Sequence, residues 1–325
     1  VFRFLVDLQQ KKTEEMKDVV FSPITVADLN DCLKTPSQII QTALGPVEYA
    51  DRGEGPVILS AHGGPGGYDQ GLGMSEVFRK AGYRILSPSR PGYLRTPTSP
   101  GQTVEEQADL LAAFLDALHI DQAIVLATCA GGPPTYQLAQ RHPQKVKALV
   151  EIDSITLRFK KDDQVSKMQE IIYLSKPGIW IMEYMLRQFP KAVVKQFMKT
   201  ESTLLGKDLE KRVSEILDDE AKLLFVNYLF NTMSTHYDLR KAGLAIDFKI
   251  FDSYDALPMD KISCPALIVH GNADKDVPPE HGEYAFKSIK NAEMLWVDKG
   301  SHIGFWVADD AYAAQEKALK WLAAL

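Results

Sequence analysis

The chain has 325 residues, 45% of them hydrophobic and 25% charged, enough apolar material for a large core in one domain, or in one domain carrying an insertion. With 43 acidic residues against 37 basic ones the formal net charge is -6, so no excess positive field is available to hold a phosphate backbone, which argues against a nucleic-acid partner. No run of about twenty apolar residues occurs, which excludes a transmembrane helix from this sequence.

At the start, Val1, Phe2, Phe4, Leu5, Val6 and Leu8 read either as the exit of a longer apolar segment, since the first residue is not Met, or as a short amphipathic helix lying on the body. Beyond this stretch, short apolar runs alternate with helical patterns. Strands are predicted over 56–61, 83–87, 123–128, 146–152, 265–270 and 292–297, several of them apolar at consecutive positions, as strands buried on both faces are. Between them, Thr103 and Glu106 make a capping box, and Val104, Ala108, Leu111, Leu115 and Leu118 follow at helical spacing. Further helices are predicted near 70–80, 132–141, 280–288 and 311–325. This alternation predicts an α/β fold, a mostly parallel central sheet flanked by helices.

The rhythm breaks over 155–255, where strand signals vanish and the chain turns charged and helical. It reads as an inserted helical cap, with Met168, Met182, Met185, Met198 and Met233 either in its core or roofing a pocket. The expected organisation is therefore a helical extension over 1–44, a core over 45–154 and 256–325, and the cap between the two core segments. The expected compartment is the cytoplasm.

Three cysteines, Cys32, Cys129 and Cys264, form no disulfide framework and have no metal-like spacing. Cys264 and Cys32 read as small buried hydrophobes. Cys129 lies in Ala127-Thr128-Cys129-Ala130-Gly131-Gly132-Pro133-Pro134, where an apolar strand runs into small residues and then a helix. That is the context of a nucleophile elbow, which usually has Gly two places before and after the reactive residue; here Ala127 and Gly131 occupy those places. Position 129 also opens a helix, where the dipole favours negative charge, and prolines in a first turn forfeit no helical hydrogen bond.

An acyl-transfer nucleophile needs oxyanion donors, an acid and a base. The stretch His62-Gly63-Gly64-Pro65-Gly66-Gly67 follows a strand and suits the first task, with the amides of Gly64 and Ala130 as the expected donors. It lacks the spacing of a dinucleotide fingerprint or a P-loop. Asp274, on the loop after the strand ending at His270, is the expected acid, with Asp276 and Asp153 as competitors. His302, on the loop after the last strand, is the expected base. His62 belongs to the glycine loop, His270 ends a strand, and His119, His142, His236 and His281 are expected to face solvent. The chain order nucleophile, acid, base is that of Cys129, Asp274 and His302. Tyr68, Asp69 and Gln70 could touch a substrate, although helix capping accounts for Asp69 as well.

From about Gly45 to the C-terminus, apart from the cap, these segments resemble the α/β-hydrolase superfamily. The glycine loop resembles that of prolyl iminopeptidases, whose elbow carries Ser between glycines. A closer likeness is to bacterial α/β-hydrolases that carry Gly-Gly-Tyr-Asp-Gln-Gly, here Gly66 to Gly71, and Ser-Arg-Pro-Gly-Tyr, here Ser89 to Tyr93. Their elbow residue is Ser, so Cys129 is this chain's departure. It is a natural thiol nucleophile, as in enzymes resembling dienelactone hydrolase or the polyhydroxyalkanoate synthases, an engineered replacement, or the mark of a shift toward acyl transfer or binding. The resemblance implies hydrolysis of an ester, thioester or lactone from a small-molecule acyl substrate, with no metal or organic cofactor. The alternatives are an acyltransferase, a prolyl-iminopeptidase-like peptidase and a non-catalytic ligand-binding protein.

Overall fold

A computed structural model describes residues 21–159, 184–185 and 188–325. The first eight residues, Met168 and Met182 therefore lie outside the described residues. Eight strands form one sheet: β1 (Gln38–Thr42), β2 (Gly45–Arg52), β3 (Val57–Ala61), β4 (Arg84–Pro88), β5 (Ala123–Thr128), β6 (Val146–Ile152), β7 (Ala266–Gly271) and β8 (Ala292–Val297), in the order β1-β2-β4-β3-β5-β6-β7-β8. The first two pairings, β1 with β2 and β2 with β4, are antiparallel, and every other pairing is parallel. The central strands β5 and β7 are buried at every position, as helices on both faces require.

The helices of the core are α1 (Val26–Lys34), α2 (Tyr68–Lys80), α3 (Val104–Ala117) and α4 (Gly132–Arg141). The Thr103–Glu106 capping box predicted for α3 is present, and a second one, Thr25 with Asp28, starts α1. Alternation along the strands sends side chains to two apolar cores. Ile124 and Leu126 of β5 pack into one and Val125 into the other.

The segment to residue 44 differs from the all-helical expectation, because α1 is followed by β1, which joins the sheet edge. Its residues Gln38, Ile39 and Gln41 are exposed, so it carries little of the apolar signal by which buried strands are recognised. The strand β2 is likewise absent from the sequence reading: Glu48, Asp51 and Arg52 interrupt its apolar positions, and Glu48 is buried against Arg95 and Ser89.

Between β6 and β7 the chain leaves the sheet for α5 (Pro190–Glu201), α6 (Gly206–Asp218), α7 (Glu220–Ser234) and α8 (Lys241–Asp252). An isolated bridge between Leu157 and Ala256 brings the two ends of this insertion together. Val194, Met198, Val213 and Phe225 of the insertion enter one core, and Ile246, Ile250 and Phe251 enter the other. Met198 is fully buried, whereas Met185 and Met233 are half-buried. The chain finishes with α9 (Glu280–Ser288), the short α10 (Gly304–Val307) and α11 (Ala311–Ala323). No helix among the described residues is long and apolar enough to cross a membrane.

Candidate active site

The parallel strands deliver three loops to one end of the sheet. After β5 the chain turns at Cys129 with φ 50°, passes through a short 3-10 turn over Cys129–Gly131 and enters α4 with Pro133 and Pro134 in its first turn. A left-handed backbone at a residue other than Gly costs energy and persists only where its surroundings enforce it. Here they do: the Cys129 carbonyl accepts from the amides of Gly132 and Ile155. Small residues are required nearby, since a Cβ at Gly131 would stand 2.4 Å from the Ala61 carbonyl oxygen and one at Gly132 2.5 Å from Ser154 Cβ. Ala127 is wholly buried. The Cys129 side chain is half-buried, as is that of Cys264, while Cys32 is buried.

His302 follows β8 and Asp274 follows β7. His302 Nδ1 donates to Asp274 Oδ2 at 2.8 Å, and the other carboxylate oxygen accepts from the amides of Asp276 and Val277 at 2.9 and 3.0 Å. With Nδ1 engaged, Nε2 is left facing the elbow. A His302 ring nitrogen, Cys129 Sγ and an Asp276 carboxylate oxygen all lie within 4.8 Å of one another. Burial disfavours the charged imidazole, but the Asp274 carboxylate and the Cys129 sulfur outweigh it, and the His302 pKa stands well above the ordinary value. Burial likewise pushes the Asp274 carboxyl up, with His302 and the Val277 amide holding it back. The structure thus brings Cys129, Asp274 and His302 together from three loops.

The two competing carboxylates are placed differently. Asp276 approaches His302 Nε2 at 3.7 Å, on the side away from Asp274. Asp153 is buried, accepts from the Gly271 amide at 2.8 Å and lies 3.8 Å from His270 Nε2. Burial, with Asp274 beside it, raises the Asp153 carboxyl well above the usual carboxylate range.

The loop over 62–67 borders the elbow, with a Cβ at Gly63 reaching 3.2 Å from Cys129 Cβ, which sets the segment carrying Gly64 against the turn carrying Ala130. His62 is buried; its Nε2 accepts from the Arg90 amide at 2.9 Å, which leaves Nδ1–H to donate to the Gly63 carbonyl at 2.6 Å. Burial and the adjacent Arg90 push its pKa well below the ordinary value, so it braces the loop as a neutral ring.

Two ion pairs, one buried and one partly buried, then fasten this loop to the insertion. Arg90 donates to both oxygens of Asp247 on α8 at 2.6 and 2.7 Å, and to the His62 carbonyl at 3.0 Å. Tyr93 donates to the same carboxylate at 2.5 Å, and Gly64 sits beneath it: a Cβ there would lie 3.1 Å from Asp247 Oδ2 and from the Tyr93 hydroxyl. In the second pair Arg240 grips both oxygens of Asp69 at 3.0 and 2.6 Å and the Gly66 carbonyl at 2.6 Å. Asp69 also accepts from the Gln70 amide, so it serves the start of α2 and the insertion together.

The insertion also holds the loops that carry Asp274 and His302. Ser202 bridges Asp274 as an antiparallel pair, and the Glu201 carbonyl accepts from the amides of His302 at 3.0 Å and Lys275 at 3.3 Å. Burial next to Asp276 pushes the Glu201 carboxyl up to about 8.

Several of these partners escape a reading of the sequence. Arg90 and Tyr93 fall in the Ser-Arg-Pro-Gly-Tyr stretch already noted, but Asp247, Arg240 and Glu201 lie in the charged insertion without a distinguishing pattern. His281 corrects an expectation: it is buried, not solvent-facing, because its Nδ1 accepts from the amides of Thr156 and Leu157 at the neck of the insertion, and burial lowers its pKa to about 4. Trp306 packs beneath the His302 loop, stacked on Phe225 and donating to the Met74 carbonyl.

Comparison with known proteins agrees with this architecture. The alpha/beta hydrolase fold family matches residues 56–309. The alpha/beta hydrolase fold protein from Nakamurella multipartita is 35% identical and superposes with a TM-score of 0.83, covering 89% of this chain and 99% of that one. The uncharacterised hydrolase YcgS of Bacillus subtilis is 27% identical over 271 residues, 82% of this chain and 91% of that protein. A pimeloyl-acyl-carrier protein methyl ester esterase of Neisseria meningitidis is 27% identical over 234 residues, 72% of this chain and 82% of that enzyme.

Proposed function

The chain belongs to the α/β hydrolase fold family and is an esterase-like hydrolase, and from that premise we propose that it cleaves an ester, thioester or lactone by way of an acyl-enzyme on Cys129. The observation that carries the proposal is His302, poised between the Asp274 carboxylate and the Cys129 sulfur. His302 Nε2 takes the thiol proton as Cys129 Sγ attacks the carbonyl carbon. The amides of Gly64 and Ala130 hold the oxyanion, the largest single contribution in sites of this kind. Collapse of the tetrahedral intermediate breaks the bond to the leaving group, which departs with the proton from His302. Water then gives a proton to His302 Nε2 and attacks the thioester, and the acid is released as the proton returns to sulfur.

A thiolate is a good nucleophile and also a good leaving group, so an intermediate formed on an amide collapses backward before the amine departs. Activated acyl groups are therefore the substrates that fit, in preference to peptides. The named activity of the Neisseria relative, a methyl ester esterase, is likewise cleavage of an ester and not of an amide.

The test is a panel of activated esters and thioesters followed by intact-mass and peptide mapping. A burst of leaving group with one acyl mass on Cys129, abolished in Cys129→Ala, supports the reading. Turnover that survives in Cys129→Ala, or no acylation of the parent at any pH, overturns it. A product that forms only with an added alcohol or thiol acceptor replaces hydrolysis by acyl transfer.

A further inference from the structure

The sulfur, the imidazole and Asp276 converge from three separate loops. Their ligand atoms lie within 4.8 Å of one another, and the His302 Nε2 to Asp276 Oδ2 separation is already 3.7 Å. We propose that Cys129 Sγ, His302 Nε2 and Asp276 Oδ2 form a binding site for a thiophilic divalent cation of the zinc class, and that its occupancy switches the enzyme off.

Three properties support a cation here. The donor set is one sulfur, one imidazole nitrogen and one carboxylate oxygen, the mixture that zinc selects, and bonds of about 2.0–2.3 Å in a tetrahedron set donors roughly 3.3–3.7 Å apart. The His302–Asp276 pair lies at the upper end of that spacing, and the Cys129 sulfur stands within 4.8 Å of both ligand atoms. The second property is the support behind the imidazole. Asp274, its side chain fully buried, accepts a hydrogen bond from His302 Nδ1 at 2.8 Å and fixes the ring so that Nε2 is the nitrogen turned to the cluster, the carboxylate–histidine arrangement that orients metal-binding histidines. The third is access, since Asp276 is 37% exposed and the elbow sulfur only half-buried, so an ion can enter from solvent and a fourth position remains open to water.

A second cluster, Asp153, His270 and Asp274, has similar composition but is wholly buried, with His270 Nε2 committed to the Val277 carbonyl at 3.0 Å. It offers no route of entry. The distinctive feature of the first cluster is sulfur at position 129: a hydroxyl there would remove the soft donor that favours zinc over harder cations.

Binding places the metal on Cys129 Sγ and His302 Nε2 and releases to solvent whatever protons they carried, so nucleophile and base are lost together. This inhibition rests on the proposed function, whereas the binding itself does not. The experiment titrates chelator-treated protein with Co2+ as a spectroscopic probe, follows the sulfur-to-metal charge-transfer absorption, displaces Co2+ with Zn2+, and assays ester hydrolysis in parallel. One ion per chain is expected, with a charge-transfer band that disappears in Cys129→Ser. Asp276→Asn is expected to weaken Zn2+ binding by at least about tenfold. Glu201→Gln, which removes a neighbouring acidic group outside the donor set, is expected to leave the affinity in place. A band that persists in Cys129→Ser, or equal affinity in Asp276→Asn and the parent, overturns the site. So does a parent that hydrolyses esters but shows no band. A parent that binds Co2+ with the expected band but acylates no ester leaves the cation site standing and removes the hydrolytic reading instead.

Discussion

Arg90 and Asp247, 157 residues apart, meet as a bidentate ion pair with both side chains only 1% exposed. One belongs to the segment after β4 and the other to the insertion, and their shared neighbours are His62, Tyr93 and the cradle of Gly64. Removing one partner of such a pair leaves an uncompensated buried charge, at a cost of about 3–5 kcal/mol. Asp247→Ala is therefore expected to lower unfolding free energy by about that amount in urea titration. A loss below about 1 kcal/mol, the range of a solvent-exposed pair, contradicts this placement.

Asp274 holds His302 in one tautomer and stabilises its charged form. Asp274→Asn keeps the shape but presents an amide to Nδ1, and kcat is expected to fall by about 10^3–10^4 with KM little changed. Equal effects on kcat and on the urea midpoint would point to a structural role alone.

The elbow leaves no room for a methyl group at position 131, where a Cβ would stand 2.4 Å from backbone. Gly131→Ala is expected to cost roughly 1–3 kcal/mol of stability, the usual penalty for overpacking, and to reduce acylation of Cys129 as the turn shifts. Calorimetry and the burst amplitude measure the two effects on one sample.

Glu151, buried within β6, accepts from Thr135 and Ser154, while burial raises its pKa from the ordinary 4.5 to about 8. A raised acid binds its proton more tightly in the folded state than in the unfolded chain. Its contribution to stability is therefore complete below pH 4.5 and declines as pH rises through about 8, by up to about 1.4 kcal/mol per pH unit. Glu151→Gln removes that decline, so the stability of the variant relative to the parent is expected to grow with pH across this window. Parallel curves for the two proteins would show that Glu151 is ionised when folded.

Much of the architecture is legible in the sequence because strands buried on both faces leave a continuous apolar run, as β5 and β7 do, and capped helices leave Thr103 with Glu106. The antiparallel edge leaves neither signal: β1 exposes Gln38, Ile39 and Gln41, and β2 interleaves charges that find partners only after folding. The candidate site is legible where chemistry must sit at strand ends, which is why a strand-to-helix turn singled out Cys129 and two post-strand loops singled out Asp274 and His302. Pairings such as Arg240 with Asp69 carry no local pattern. They become visible only when the insertion is laid over the glycine loop.

The pairing of Ser202 with Asp274 makes the insertion a mechanical support of the loop that faces His302. Grafting another relative's insertion at its neck would exchange the strip that holds the Asp274 loop. The neck and the loop therefore change as a block: a transplanted insertion has to bring its own version of residues 201–203.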